Sequence, residues 1–384
     1  MKSFKKKYLF LIPIAVISIS SCTGKKDVYE DLYSRHTQYL NGVLNFVETV
    51  EYNENKLKIR SDKFTISNSN KDLFSMETII ENEYNSKNLI SKTTETTYQL
   101  DLDTQSPIGE LSIVIEEYTY DEKNNEILKI TKTKSRKSTQ IPFQNEYIQK
   151  KQTVYTYSEN SNRLLDQLTT WSTIEDENEE VESILKYVWE YDDKNHNTKF
   201  SIFSKNLEDF AIEEETIYTF GNNDEILTKD FKEYSVEDSS KLKSWEKCTN
   251  IYDNKSNLLS EQTINFYDVD NSIWFDYYLE QKYEYDEHNN IETIDGFVCE
   301  KNQTTLEIER IHGKNNTYIY FDNDQNRPTY QMEISYHKMF GLSSKTIATK
   351  YNENKQKVFE ETLTYNGNEI KKPKIITDYY EYAK

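Results

Sequence analysis

Ten times between Tyr52 and Tyr351 the chain repeats one short pattern. An aromatic residue ends an alternating run, Asp or Asn usually follows, and polar residues come next. The copies are Tyr52-Asn53, Tyr84-Asn85, Tyr120-Asp121, Tyr157-Ser158, Tyr191-Asp192, Phe220-Gly221, Tyr252-Asp253, Tyr285-Asp286, Phe321-Asp322 and Tyr351-Asn352, spaced about 33 residues apart on average. A period of this length marks a repeat architecture, in which no unit can bury its apolar face alone and stacking of neighbours is required.

The physics of one unit is readable. Aromatics alternate with polar residues before each motif, as in Tyr187, Trp189, Tyr191 or Tyr283, Tyr285. That period of two belongs to a half-buried strand. Asp or Asn then starts a turn, because its side chain bonds to backbone amides ahead of it, and Asn tolerates the left-handed conformation that the scarce glycines would otherwise supply. A second strand follows, as in Glu126 to Lys134, and then a longer connection punctuated by residues such as Pro107, Gly109, Pro142, Gly313 and Gly341. Each unit is a β-hairpin with one tight and one loose end.

Composition supports strands over helices: 31 Tyr and 17 Phe stand against 8 Gly, 5 Pro and very little Ala. The expected fold is all-β, an elongated antiparallel meander of about ten hairpin repeats in one twisted or coiled sheet. Twenty strands at about 4.8 Å would span roughly 95 Å. The Tyr-rich face is expected to be the inner one, with hydroxyls reaching polar groups. A short capping helix is expected within residues 27 to 41, ended by Gly42 and covering the first edge strand; a last strand near Ile375 to Tyr382 would be the other edge.

Residues 1 to 21 read as a lipoprotein signal peptide: Lys2, Lys5, Lys6 and Lys7, then an apolar run from Tyr8 to Ile19, then Ile19-Ser20-Ser21-Cys22. The tetrad resembles the lipobox of bacterial lipoproteins, and the resemblance implies cleavage before Cys22 and acylation there. Residues 22 to 42 would form a tether and possible capping helix, and 43 to 384 the repeat domain. The string Tyr118 to Asn125, like Tyr283 to Asn290, resembles the YD repeat of Rhs-like and teneurin-like proteins. That resemblance implies hairpins winding into a shell and an extracellular setting, with no catalytic residue. Here Asn or a charged residue replaces the family's usual Gly after Asp, and the units are longer.

The whole-chain charge is −20, and the signal segment holds four Lys and no acid, so the mature balance is −24. Nucleic acid is excluded as a partner by repulsion. Cys248 and Cys299 are the remaining cysteines, placed on the first and fourth of four successive strands, too far apart to bridge. His36, His196, His288, His312 and His337 are scattered and expected to be solvated. Asp322, Asp324, Asn326 and Glu333 match part of a calcium loop, but Arg327 stands where Gly is needed. No metal, cofactor or catalytic constellation is expected.

The functional expectation is a lipid-anchored outer-membrane lipoprotein, a non-enzymatic scaffold whose long sheet offers loops and edges to an envelope protein or glycan. A tethered hydrolase of envelope or dietary polymers is the alternative. A twenty-stranded outer-membrane barrel is disfavoured, because outward alternation would set Lys and Glu against lipid at about 2 to 4 kcal/mol for each midplane Lys.

Overall fold

The computed structural model describes residues 33–382 apart from 68–69, 136–148, 160, 176–177, 207–208, 236–240, 270–271, 302–307, 313–314, 323–326, 338–340 and 367–373. The signal segment and Cys22 lie outside the described residues. The strands begin with β1 Tyr33–Leu40, β2 Val43–Tyr52, β3 Lys58–Ser67, β4 Asn70–Tyr84, β5 Ile90–Leu100, β6 Pro107–Tyr120, β7 Glu126–Ser135 and β8 Gln149–Tyr157. They continue as β9 Leu164–Glu175, β10 Asn178–Tyr191, β11 Asn197–Asn206, β12 Asp209–Phe220, β13 Ile226–Tyr234, β14 Leu242–Tyr252, β15 Leu258–Val269 and β16 Ser272–Tyr285. The last are β17 Ile291–Lys301, β18 Ile308–His312, β19 Asn315–Asp322, β20 Arg327–His337, β21 Gly341–Tyr351, β22 Lys357–Asn366 and β23 Lys374–Tyr382.

Among the described residues eight of the tight turns share one geometry, and the turn at Ser158 is one residue longer. At the first, Asn53 N–H donates to Leu57 O and Lys56 N–H donates back to Asn53 O, both at 2.9 Å, while Asn53 Oδ1 accepts from the amides of Asn55 and Leu57. Asp253 and Asp286 repeat this pattern. One residue in each such turn is left-handed: Lys56, Asn88, Asn124, Asn162, Asn195, Asp224, Ser256, Asn289 and Lys355, at φ from 53° to 80°. Asn holds five of these places because its side chain suits that conformation.

The repeated aromatic has a structural cause. In all ten units the register slips at that residue, from Glu51/Tyr52 to Lys350/Tyr351, placing a β-bulge beside the turn. The ladder between neighbouring hairpins ends short of the rim. The β3–β4 ladder, for example, stops at Arg60↔Glu81, leaving the Lys58 carbonyl beyond it. Tyr84 Oη donates to that carbonyl at 2.7 Å. Tyr120 does the same for Ile90 O at 2.7 Å, Tyr191 for Leu164 O at 3.0 Å, Tyr252 for Ile226 O at 2.9 Å, Tyr285 for Leu258 O at 2.8 Å and Tyr382 for Lys357 O at 2.7 Å. The turn joins the two strands of a hairpin, and the tyrosine clips that hairpin to the one before it.

The sheet is closed. Every described neighbour pair is antiparallel, as expected, but β23 pairs with β1 from Leu40↔Ile376 to Tyr33↔Tyr382. Both β18 and β19 pair with β17, forming one interrupted stave, so the barrel has 22 staves. The elongated open meander is therefore corrected to a ring. Two expected edges, each a row of unpaired amides and carbonyls, satisfy one another. The expected helix within residues 27 to 41 is also corrected: Tyr33–Leu40 is a strand, since its period-two neighbours find ladder partners on both sides. Gly42, at φ 78°, follows Asn41 at φ 52° in a two-residue hairpin turn of the Asn-Gly kind. Lys374–Tyr382 is paired on both sides and is no edge.

Candidate functional site

Among the described residues, the largest feature open to another molecule is the space that the ring encloses. Twenty-two staves at about 4.8 Å give a circumference of about 105 Å, enough for a lumen roughly 30 Å across the backbone. All described residues belong to staves or to turns at the rims, and packing between strands that are not ladder neighbours is sparse. There is no second layer among them.

Register separates the two faces. Residues directly opposite across a ladder share a face, and following them around the ring brings Asp378 to the same face from β22 (Glu360) and from β1 (Gln38). On this face lie Phe46, Val50, Cys248, Leu258 and Tyr283, nearly all of the few buried apolar side chains, with buried Ser61, Thr153, Thr169, Thr216, Thr263, Thr317 and Asp378. Side chains converge on the concave side of a curved sheet and splay on the convex side, so this is the lumen face. Exposed Val154, Ile251, Tyr320, Tyr330, Tyr365 and Tyr379 fall on the opposite, outward face.

The lumen lining changes with depth. Near the tight-turn rim it is aromatic, from Tyr118 and Tyr120 through Trp189 and Tyr191 to Tyr380 and Tyr382. Farther in it is hydroxylic and acidic. Glu214 stands directly opposite Glu233, and Glu246 and Glu261 follow on the next two strands; Lys243 pairs with Glu233, and Lys229 lies 3.5 Å from Glu246. Lys58 with Glu48 and Lys129 with Glu116 are paired lumen charges at 3.2 and 2.8 Å. The outward face is more evenly balanced, with cross-strand pairs such as Arg60–Glu81 at 2.9 Å, Lys132–Glu117 at 3.1 Å and Lys199–Glu215 at 2.8 Å.

Two histidines expected to be solvated are not. His36 Nε2 lies 2.8 Å from Asp378 Oδ1, its ring is stacked on Tyr380 at 4.5 Å, and Gln38 Nε2 donates to the same carboxylate oxygen at 3.0 Å. His196 bridges two turns, with Nδ1 2.8 Å from Asp192 and Nε2 3.1 Å from Asp224, and stacks on Phe220 at 4.4 Å. Phe220 is a repeat aromatic without a hydroxyl, and the histidine holds the junction instead. No sequence signal marked His36, whose partner is over 300 residues away. His288 lies in a turn where its amide donates to Asp286. The side chains of His312 and His337 and most of the suspected calcium loop lie outside the described residues. No cluster of His, Cys, Asp and Glu fit to hold a metal occurs among the described residues. Cys248 faces the lumen from β14, while Cys299, opposite Tyr278, faces outward from β17.

No family model matches the chain, and neither does any curated protein. Among solved structures it is similar to a porin-like protein from Bacteroides uniformis ATCC 8492, at 10% identity and TM-score 0.28, over 71% of this chain and 97% of that one. A porin-like protein from Bacteroides vulgatus ATCC 8482 is similar at 10% identity and TM-score 0.23, over 91% and 98%. A protein of unknown function from Bacteroides fragilis NCTC 9343 is similar at 11% identity and TM-score 0.25, over 38% and 92%. Likenesses this faint transfer no residue role.

Two expectations fall with the open sheet. The YD-repeat resemblance is corrected, because the hairpins close a single ring of staves and do not wind into a Rhs-type shell. The anchored scaffold is corrected too, because a closed barrel has no sheet edge to present. The argument against a barrel weighed the cost of charge in lipid and left out the cost of two open edges on twenty-odd strands.

Proposed function

We propose that the chain is a porin-like barrel of the outer-membrane type, a water-filled passage for small polar solutes that favours cations over anions. The observation that carries this is the β1–β23 closure around a lumen lined by hydroxyls and carboxylates, with Glu214 directly opposite Glu233. A closed ring satisfies every ladder amide and carbonyl internally, which is what a bilayer demands, and an even stave number is the rule for such walls. Acidic rings favour cations in a pore. Two structures of similar fold are described as porin-like.

Reconstitution of the purified chain in planar bilayers is the test. Stepwise conductance with a reversal potential displaced toward the potassium equilibrium value in a KCl gradient is expected; folded protein that inserts without conductance overturns the reading. A second reading is favoured by one specific observation. Asp62 and Lys132 face outward well inside their strands, at about 2 to 4 kcal/mol for a basic residue brought to a midplane. A barrel standing in water around a guest in its lumen would keep them solvated. Monodisperse behaviour without detergent, and no bilayer insertion, selects it.

Export through the amino-terminal signal, with acylation of Cys22, is a separate proposal resting on the Ile19-Ser20-Ser21-Cys22 tetrad. Metabolic labelling with a palmitate analogue should mark the wild type and not Cys22→Ala; label that persists in the variant disproves it.

A further inference from the structure

The outward face is not uniform around the ring. From β3 to β17 charged residues stand on it at every height. From β19 through β23 to β1 the middle of the wall is almost free of charge, with Tyr320 opposite Tyr330, Met332 on β20, Leu363 and Tyr365 on β22 and Tyr379 on β23. Several of these are among the most exposed large side chains of the described residues, Tyr320 at 52% and Tyr379 at 45%. Its charges are few: Arg35 opposite Glu381 and Lys350, 5.0 Å over the Phe359 ring, lie toward the tight-turn rim, and Glu361 stands at mid-height on β22 between Ala348 and Thr377.

We infer that this sector is a self-association surface, where a second copy of the chain docks around a two-fold axis. The area fits. Six staves at about 4.8 Å and eight residues at about 3.4 Å make a face of roughly 780 Å². A stable pair needs about 800 Å² from each partner. The chemistry also fits a protein better than acyl chains. Tyr and Met are enriched and Lys and Glu depleted in interface centres, whereas Thr37, Thr346 and Thr377 on the same face would be poor company for lipid. Charge fits as well, because Arg35 and Lys350 balance Glu361 and Glu381, so two copies of an acidic chain can meet here without net repulsion.

A hollow of about 260 Å³, open to solvent and lined by Tyr39, Gly42, Thr377 and Tyr379, gives the surface relief. Nothing lies within 4 Å of where a Cβ on Gly42 would stand. An aromatic side chain of the second copy can seat in this hollow as an anchor, the usual form of an interface hot spot.

Light scattering coupled to size exclusion, on the full mature chain in a mild non-ionic detergent, reads the copy number. Two copies are expected for the wild type and for Ile251→Glu, an outward substitution on β14. Leu363→Glu and Tyr379→Glu should weaken the pair about 30-fold or more, the scale of a hot-spot loss. Circular dichroism confirms that each variant keeps its strands; if Tyr379→Glu does not, Leu363→Glu and Tyr330→Glu stand in its place. One copy at every concentration, or a pair that these variants leave intact, overturns the inference. A single copy whose variants also lose retention on phosphatidylethanolamine vesicles would identify lipid as the occupant instead.

Discussion

A junction between two repeats and the junction between the two ends of the chain solve the same problem by different means. Between β15 and β16 the ladder ends at Ser260↔Lys282, and one bond, from Tyr285 Oη to Leu258 O, finishes the rim. Between β23 and β1 there is no covalent connection and no such tyrosine. A polar clasp replaces both. Asp378 accepts from Gln38 and pairs with His36, Asn45 Nδ2 donates to Gln38 at 2.7 Å, and Asn41 N–H donates to Ile375 O at 2.7 Å while its side chain accepts from the Ile375 amide at 2.8 Å. Where the chain supplies proximity a single bond suffices; where it does not, a network holds the register.

The sharpest way to break this comparison is Asp378→Ala. The carboxylate is 7% exposed, and its loss leaves His36 and Gln38 without their shared acceptor in a half-buried place. A destabilisation of about 3 kcal/mol in urea unfolding is expected, since unsatisfied buried groups cost about 1 to 3 kcal/mol each. If the loss is no larger than at a repeat junction, the seam is an ordinary junction and the clasp is incidental. At a repeat junction, Tyr285→Phe removes one hydroxyl and should cost about 1 kcal/mol. Tyr320→Phe, on an exposed outward ring, should cost close to nothing and serves as its control.

This difference also explains what could be read from the chain alone. The hairpins were legible because everything that makes them is local: the alternating aromatics, the Asp or Asn of the turn and the left-handed Asn three residues on lie within about a dozen positions. Even there, the function of the repeated tyrosine was hidden, because a ring that alternates inward is equally consistent with simple burial, and only the structure shows its hydroxyl on a backbone carbonyl. Asn41-Gly42 is a hairpin signal masked by the loosely helical spacing of Val28, Leu32 and Tyr39, which makes Gly42 look like a helix stop. Closure was not legible at all. Nothing in the sequence near His36 points to Asp378, and whether twenty-odd strands coil, fold over or close depends on accumulated twist and on pairing between ends that only geometry brings together. The lumen followed closure out of reach, because the same alternating residues line an open sheet or a pore.

The smallest expected effect sharpens the comparison from the side of the turns. Asp253 and Asp286 occupy the position that Asn53, Asn85 and Asn352 fill elsewhere, accepting the same backbone amides. The Asn257 backbone amide holds the Asp253 carboxyl below its usual range; desolvation opposes it, and the Asn257 side chain adds to the lowering. At Asp286, desolvation pushes the carboxyl up, but the bonds from Asn290 and the His288 amide outweigh it and the net direction is again down. A carboxyl lowered in the folded state stabilises fully above its unfolded value, near pH 3.9, and that contribution is lost as pH falls through the lower folded value. The amide turns have no such dependence. Replacing Asp121, Asp253 and Asp286 together by Asn should therefore lower the neutral-pH urea midpoint slightly and flatten its decline below about pH 4. Because these turns act locally, the flattening should be the same in the Asp378→Ala background; a flattening that appears only with the seam intact would mean that the turns and the clasp are one cooperative unit.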